Sequence, residues 1–379
     1  MDLKLFFSPV SSELASQESA TNSFCKSIHL TNEKMPDYKT ADLAIIGIEE
    51  NEASKKNASD VIRTKLYALK KGTGRYNIVD FGNIRKGIDT SETKLRLQEV
   101  CQYLLEQDTL PVIIGGSHDL DYAQYKAYED MDKLISLLNV DAFLDMEEGM
   151  DERKNHIQKI LLHDPNYLFN YSHIGYQSYL IDRKSIETLE KLYFEAYRVG
   201  HLRSNIQEME PIIRNADMMS FDITAIRSGD APGTSNAQPF GLTGEEACQI
   251  CWYAGINEKL SSAGFYEYNP ECDDLNQNTA SVVATMIWYF IEGFYHRKEE
   301  QHFTSNDYLK YVVSMPNDSE SLNFYKSKLS EKWWMEVPYP KGKEQYARNC
   351  IVPCSYQDYE EATQGEVPER YITTYAKLI

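Results

Sequence analysis

Short, almost wholly apolar runs recur along this chain, separated by longer stretches whose apolar positions return every three or four residues. The runs at 43–48, 111–114, 134–139 and 262–266 have the look of strands buried on both faces. Residues 77–81, closed by Gly82, and 173–176 and 217–221 are further candidates. Between these runs, residues 91–107 place Leu95, Leu97, Val100, Leu104 and Leu105 on one helical face, and helices are predicted over 122–132 and 184–197. Strands alternating with helices at this spacing predict an α/β fold whose parallel sheet is covered on both faces.

The ends of the chain read differently. Residues 1–40 are polar and Ser-rich with no sustained period, and are expected to form an arm on the surface of a domain spanning 41–300. A charged stretch at 297–302 leads into an extension, 301–379, that mixes the pair Trp333-Trp334 with Pro338, Pro340, Pro353 and Pro368. Exposing that pair would be costly, so the extension is expected to pack on the core. Within it, 308–313 would serve as an edge strand or a lid. Residues 282–295 are strongly apolar but contain Glu292 and are too short to cross a bilayer, which predicts a buried helix.

Charge and cysteines narrow the setting. With 39 Lys and Arg against 58 Asp and Glu, the net charge of −19 argues against nucleic acid and anionic membranes as partners. Seven cysteines are an odd number with no paired framework. Cys248-x-x-Cys251 falls in a predicted helix and lacks a second pair to complete a zinc site. Reduced thiols and the absence of a secretory leader make the cytoplasm the expected location.

The candidate chemistry collects at strand ends, where ligands gather in open α/β sheets. Gly115-Gly116-Ser117-His118 follows one strand, Asp141 and Asp145 follow the next, and Asp222 and Glu267 close two others. A single aspartate in such a place is ordinarily a helix cap. One imidazole with three carboxylates instead suits a borderline-hard divalent ion such as Mn2+.

These segments resemble the ureohydrolase superfamily of arginase, agmatinase and formimidoylglutamase over roughly residues 40–295. Gly115-Gly116-Ser117-His118 stands where the family has Gly-Gly-Asp-His, and Asp141-Ala142-Phe143-Leu144-Asp145 where it has Asp-Ala-His-x-Asp. Ser220-Phe221-Asp222-Ile223-Thr224 answers to Ser-x-Asp-x-Asp, Pro232-Gly233-Thr234 to Pro-Gly-Thr, and Gly241-Leu242-Thr243 to Gly-Gly-Leu-Thr. Residues 264–270, with Glu267-Tyr268-Asn269-Pro270, match Asp-x-x-Glu-x-Asn-Pro, and 170–176 resembles formimidoylglutamases in particular. The resemblance implies a three-layer α/β/α sandwich around a mostly parallel, doubly wound sheet, and a homo-oligomer. It also implies a two-manganese centre that activates water against the central carbon of a guanidino or formimidoyl group. His118, Asp141, Asp145 and Asp222 would hold one ion, Asp145 and Glu267 would be the catalytic carboxylates, and Glu267 would bind the cationic amidine of a small, amino-acid-like substrate.

Three departures alter that expectation. Phe143 and Thr224 replace the two ligands that belong only to the second ion, and Arg227 stands where the family has an acid. A phenyl ring cannot coordinate and a hydroxyl is a poor substitute for a carboxylate. The chain is therefore expected to bind one Mn2+, with impaired classical activity, or none. In the latter case Arg227 would neutralise the carboxylates, unless it is simply a solvated loop charge, and the protein would be a non-catalytic ligand-binding, regulatory or assembly subunit. His156, His163 and His173 are candidates for moving protons, although none lies in a matched motif.

Overall fold

In a computed structural model, which describes residues 1–15, 21–31, 38–49, 56–131, 133–147, 149, 151–300, 303, 305–315, 321–343, 346–347 and 350–378, the apolar runs pair into one ten-stranded sheet. Its strands are β1 (Phe7–Ser8), β2 (His29–Leu30), β3 (Leu43–Ile48), β4 (Ile78–Ile84), β5 (Leu110–Ile114), β6 (Ile135–Val140), β7 (Leu168–Tyr176), β8 (Glu195–Arg198), β9 (Met218–Asp222) and β10 (Ser262–Tyr266). The order is β1-β4-β3-β5-β10-β9-β6-β7-β8, with β2 also on β4 and every pair parallel except β1 with β4. Because β6 crosses to the far side of the later β9 and β10, the carboxyl ends of β5, β10, β9 and β6 lie side by side.

Alternation of side chains divides the core into two layers. Leu43, Ile45, Val112, Ile114, Leu138 and Val140 pack on one face beneath helices Ala58–Ala68, Gly244–Gly255 and Asn278–Phe294. Their neighbours Ala44, Ile46, Ile113 and Leu137 pack on the other, against Thr90–Glu106, Asp121–Lys126 and His156–Leu161. The result is the three-layer α/β/α sandwich. No helix among the described residues is long and apolar enough to cross a membrane.

Several elements differ from the sequence reading. The arm lies on the domain but also supplies β1 and β2, two-residue strands too short to leave a periodic signal. Gly82 does not close its strand; with φ +87° it sits in a bulge opposite Ile45–Gly47, and β4 runs on to Ile84. The helix predicted over 184–197 stops at Lys191, where Tyr193 turns left-handed (φ +57°), and Glu195–Arg198 join the sheet as β8. The helix predicted over 122–132 spans Asp121–Lys126 and is followed by a single turn at Glu129–Met131; Asp132 lies outside the described residues, as do Gln301 and His302 of the charged stretch.

The tail forms a second, antiparallel sheet of β11 (Tyr308–Ser314), β12 (Ser321–Ser327), β13 (Trp333–Glu336) and β14 (Ile351–Cys354), with β11 at its edge. Its core of Phe324, Trp333, Met335 and Val352 is completed by residues of helices Tyr356–Thr363 and Glu369–Leu378. Buried Arg214, at the end of helix Met209–Arg214, joins the main domain to the tail sheet. Its guanidinium stacks 4.3 Å from the Trp334 ring and donates to the carbonyls of Trp333 (3.1 Å) and Cys354 (3.4 Å).

Lys377 makes a second joint, donating to Asn170 of β7. Burial pushes its ammonium down to about 8 against the opposing pull of Glu195. A lysine whose folded pKa is depressed holds fewer protons than the unfolded chain between the two values, so its contribution to stability rises with pH across that window. Urea unfolding should show the native protein gaining about 1–3 kcal/mol relative to Lys377→Met between pH 8 and pH 10.5. A flat difference would mean that Lys377 titrates normally.

Candidate metal centre

Two glycines make the turn that presents the first ligand. Beyond β5, Gly115 (φ +80°) and Gly116 (φ +82°) are both left-handed, and a Cβ on Gly116 would lie 2.5 Å from Leu120. The turn buries His118 with its Nδ1 toward three carboxylates: 3.2 Å from Asp141 Oδ2, 3.2 Å from Asp222 Oδ2 and 3.6 Å from Asp145 Oδ2. Asp141 and Asp145 follow β6, Asp222 ends β9, and the four residues meet at one point.

Each of two aspartates has one oxygen fixed by the protein and the other turned to the centre. Asp141 Oδ1 accepts from Phe143 N (3.0 Å) and Thr224 Oγ1 (3.0 Å), and Asp222 Oδ1 accepts from Thr224 N (2.6 Å). His118 Nδ1 and Asp141 Oδ2 are both buried and neither makes a hydrogen bond. Buried polar atoms are nearly always bonded, so a facing pair left open is a place where something else belongs.

Behind this point lies a network the sequence did not reveal. His118 Nε2 is 2.8 Å from Ser220 Oγ, which donates to Asp121 Oδ2 (3.2 Å). Asp121 Oδ1 lies 2.7 Å from His156 Nδ1, and His156 Nε2 lies 3.0 Å from Asp145 Oδ2. Ser220 opens a motif already noted, and Asp121 stands three residues after His118, a helical spacing that would have signalled contact.

Glu267 flanks the centre. Its backbone is left-handed (φ +66°), its N–H bonds Gly116 O (2.9 Å) and its Oε1 accepts from His118 N (2.9 Å). Burial, then the charge of Asp222, pushes its carboxyl up to about 7. It opens onto a cleft of about 470 Å³ also lined by Ser117, Arg153, Ser235 and Asn269.

A sequence model of the arginase family matches residues 42–292. The chain belongs to the arginase family. It is 26% identical over 258 residues to formimidoylglutamase of Staphylococcus haemolyticus (strain JCSC1435), covering 65% of this chain and 82% of that protein. With the Staphylococcus aureus (strain MRSA252) formimidoylglutamase the figures are 24% over 257 residues, 65% and 82%. Among solved structures, Trypanosoma cruzi formiminoglutamase with Mn2+ superposes with a TM-score of 0.64 at 19% identity, covering 70% of this chain and 97% of that one. Bacillus subtilis formimidoylglutamase gives 0.63 at 17%, covering 74% and 96%. The arginase-family match ends before the tail sheet begins.

The donor set of this arginase-family site fits a divalent cation. Ligand atoms about 2.1 Å from an ion and at right angles to one another are about 3 Å apart, close to the 3.2 Å between His118 Nδ1 and the Asp141 and Asp222 oxygens. Electrostatics agree with an acid-rich centre. Burial and the neighbouring Asp222 and Asp145 raise Asp141 well above the carboxylate range. Burial would raise Asp145 too, but the neighbouring imidazoles of His118 and His156 hold it far below that range.

Arg227 is not part of the centre. Its Nε bonds Asp230 Oδ2 at 3.0 Å on a half-exposed loop, a local pairing three residues apart that satisfies the guanidinium away from Asp141, Asp145 and Asp222. The expectation that it neutralises them is corrected: the cationic groups among the acids are imidazoles. Against burial, the three aspartates raise His118 well above its ordinary value, and Asp121 raises His156 to about 9. His173 stands behind Asp141, with Nε2 3.0 Å from its main-chain oxygen, and burial holds it neutral, near 4. His163 bonds Tyr122 (3.0 Å) among aromatic rings and contacts none of the site carboxylates among the described interactions.

Arg227→Ala should therefore leave Mn2+ affinity in calorimetric titration and the urea-unfolding midpoint unchanged, as expected of an exposed ion pair. Ser220→Ala, which unlinks His118 from Asp121, should cost about 1–3 kcal/mol. The reverse ranking would put the balancing charge back on Arg227.

Proposed function

We propose that this arginase-family protein hydrolyses a C–N bond of a linear amidine, as formimidoylglutamases do by name, with a single divalent ion, Mn2+ first among candidates. The observation that carries this reading is the open pair His118 Nδ1 and Asp141 Oδ2, facing each other with Asp222 in a buried centre. A second ion has little to hold it. Phe143 offers no donor atom, and Thr224 already spends its hydroxyl proton on Asp141.

His118, Asp141, Asp145 and Asp222 would hold the ion, which when bound lowers the pKa of water and offsets charge developing in the transition state. Glu267, fixed by the His118 N–H and ionised above about pH 7, accepts the N–H groups of a cationic amidine through charge-assisted bonds. Asp145, kept ionised by His118 and His156, remains able to accept a proton from a reacting group. The cleft beside Glu267 has the volume for an amino-acid-sized substrate. Assembly as a homo-oligomer belongs to the same reading.

A second reading has its own support. The imidazoles of His118 and His156 balance the acids without any ion, so the fold would survive as a ligand-binding or regulatory subunit without catalysis.

After dialysis against Mn2+, elemental analysis should find one ion per chain, and Phe143→His with Thr224→Asp should raise the count to two. Two ions in the native protein contradict the single-ion reading, and none favours the non-catalytic one. With N-formimidoyl-L-glutamate as substrate, Glu267→Gln should lower kcat/KM about 100-fold or more while leaving the ion count unchanged.

A further inference from the structure

We infer that His156 is a direct ligand of the single ion, so that this chain restores by a residue of another segment the second imidazole lost at Phe143. This rests on the single-ion reading and goes beyond it, because residue 156 lies outside every matched motif.

Asp121, which no motif contains, lies behind both rings. Its two carboxylate oxygens serve two histidines. Oδ1 lies 2.7 Å from His156 Nδ1 and would keep the proton there when Nε2 gives up its own to an ion. Oδ2 takes the Ser220 hydroxyl at 3.2 Å, and Ser220 Oγ, 2.8 Å from His118 Nε2, would hold the proton on that nitrogen when Nδ1 binds an ion. One buried carboxylate thus supports both rings from behind and leaves their far nitrogens at Asp145 Oδ2, 3.0 Å from His156 and 3.6 Å from His118. A carboxylate behind each imidazole is the usual support of a metal-bound histidine.

The distances agree. His118, Asp145 and His156 each offer a ligand atom within 4.8 Å of the others, as His118, Asp141 and Asp222 do, and the two groups share His118. Phe143 N ties down Asp141 Oδ1, and His156 stands at the Asp145 side of the centre. An ion drawn toward Asp145 gains the second nitrogen at that side. Two imidazoles also change the preference: they favour Co2+ and Zn2+ over Mn2+ more than carboxylate oxygens with a single histidine do.

Pulsed EPR of the Mn2+-loaded full chain counts coordinated imidazole nitrogens directly. Two are expected in the native protein and one in His156→Ala, whose Mn2+ affinity should fall about 100-fold or more. Competition should show Co2+ displacing Mn2+ more readily from the native protein than from His156→Gln. One bound ion with a single nitrogen in the native protein would overturn the assignment and leave the single-ion reading standing. No bound ion would overturn both. The native nitrogen count needs no variant, so misfolding of His156→Ala cannot obscure the result.

Discussion

Three carboxylates brought within reach of one imidazole nitrogen cannot all remain ionised in a buried place unless positive charge stands among them. The rest of the site answers that constraint. Asp141, Asp145 and Asp222 converge because their strands lie side by side, and the histidines that balance them are held by Asp121 and Ser220 behind. On the proposed reading the same arrangement would receive a divalent cation in place of the balancing protons.

Strain accompanies this arrangement. Asp145 (φ +47°) and Glu267 (φ +66°) both hold a left-handed backbone that side chains other than glycine avoid. Each conformation costs of order 1 kcal/mol and persists where surrounding contacts over-determine it. Here those contacts are the Gly116 carbonyl and His118 N–H for Glu267, and the two imidazoles for Asp145.

Much of the fold was legible because a parallel sheet buries its strands on both faces and so writes them as continuous apolar runs; β3 and β10 have the predicted bounds to the residue. What was not legible depends on tertiary context. β1 and β2 exist only because β4 offers them an edge, and β8 because Tyr193 breaks a helix whose composition favours continuing. At the site, Ser220, His118 and the aspartates stood in ordered motifs, whereas Asp121 and His156 act through a contact 35 residues apart that no spacing announces. Arg227 misled because its charge was suitable but its loop offered a nearer partner in Asp230.

The two short strands of the arm have a consequence for solubility. β1 covers β4 at Asn83 and Ile84, and β2 covers it at Val79 and Asp80, so the chain occupies with its own first residues most of a rim that would otherwise invite pairing between molecules. Bare rims of this sort nucleate aggregates. The leading segment thereby acts as a built-in stopper on that rim of the folded sheet.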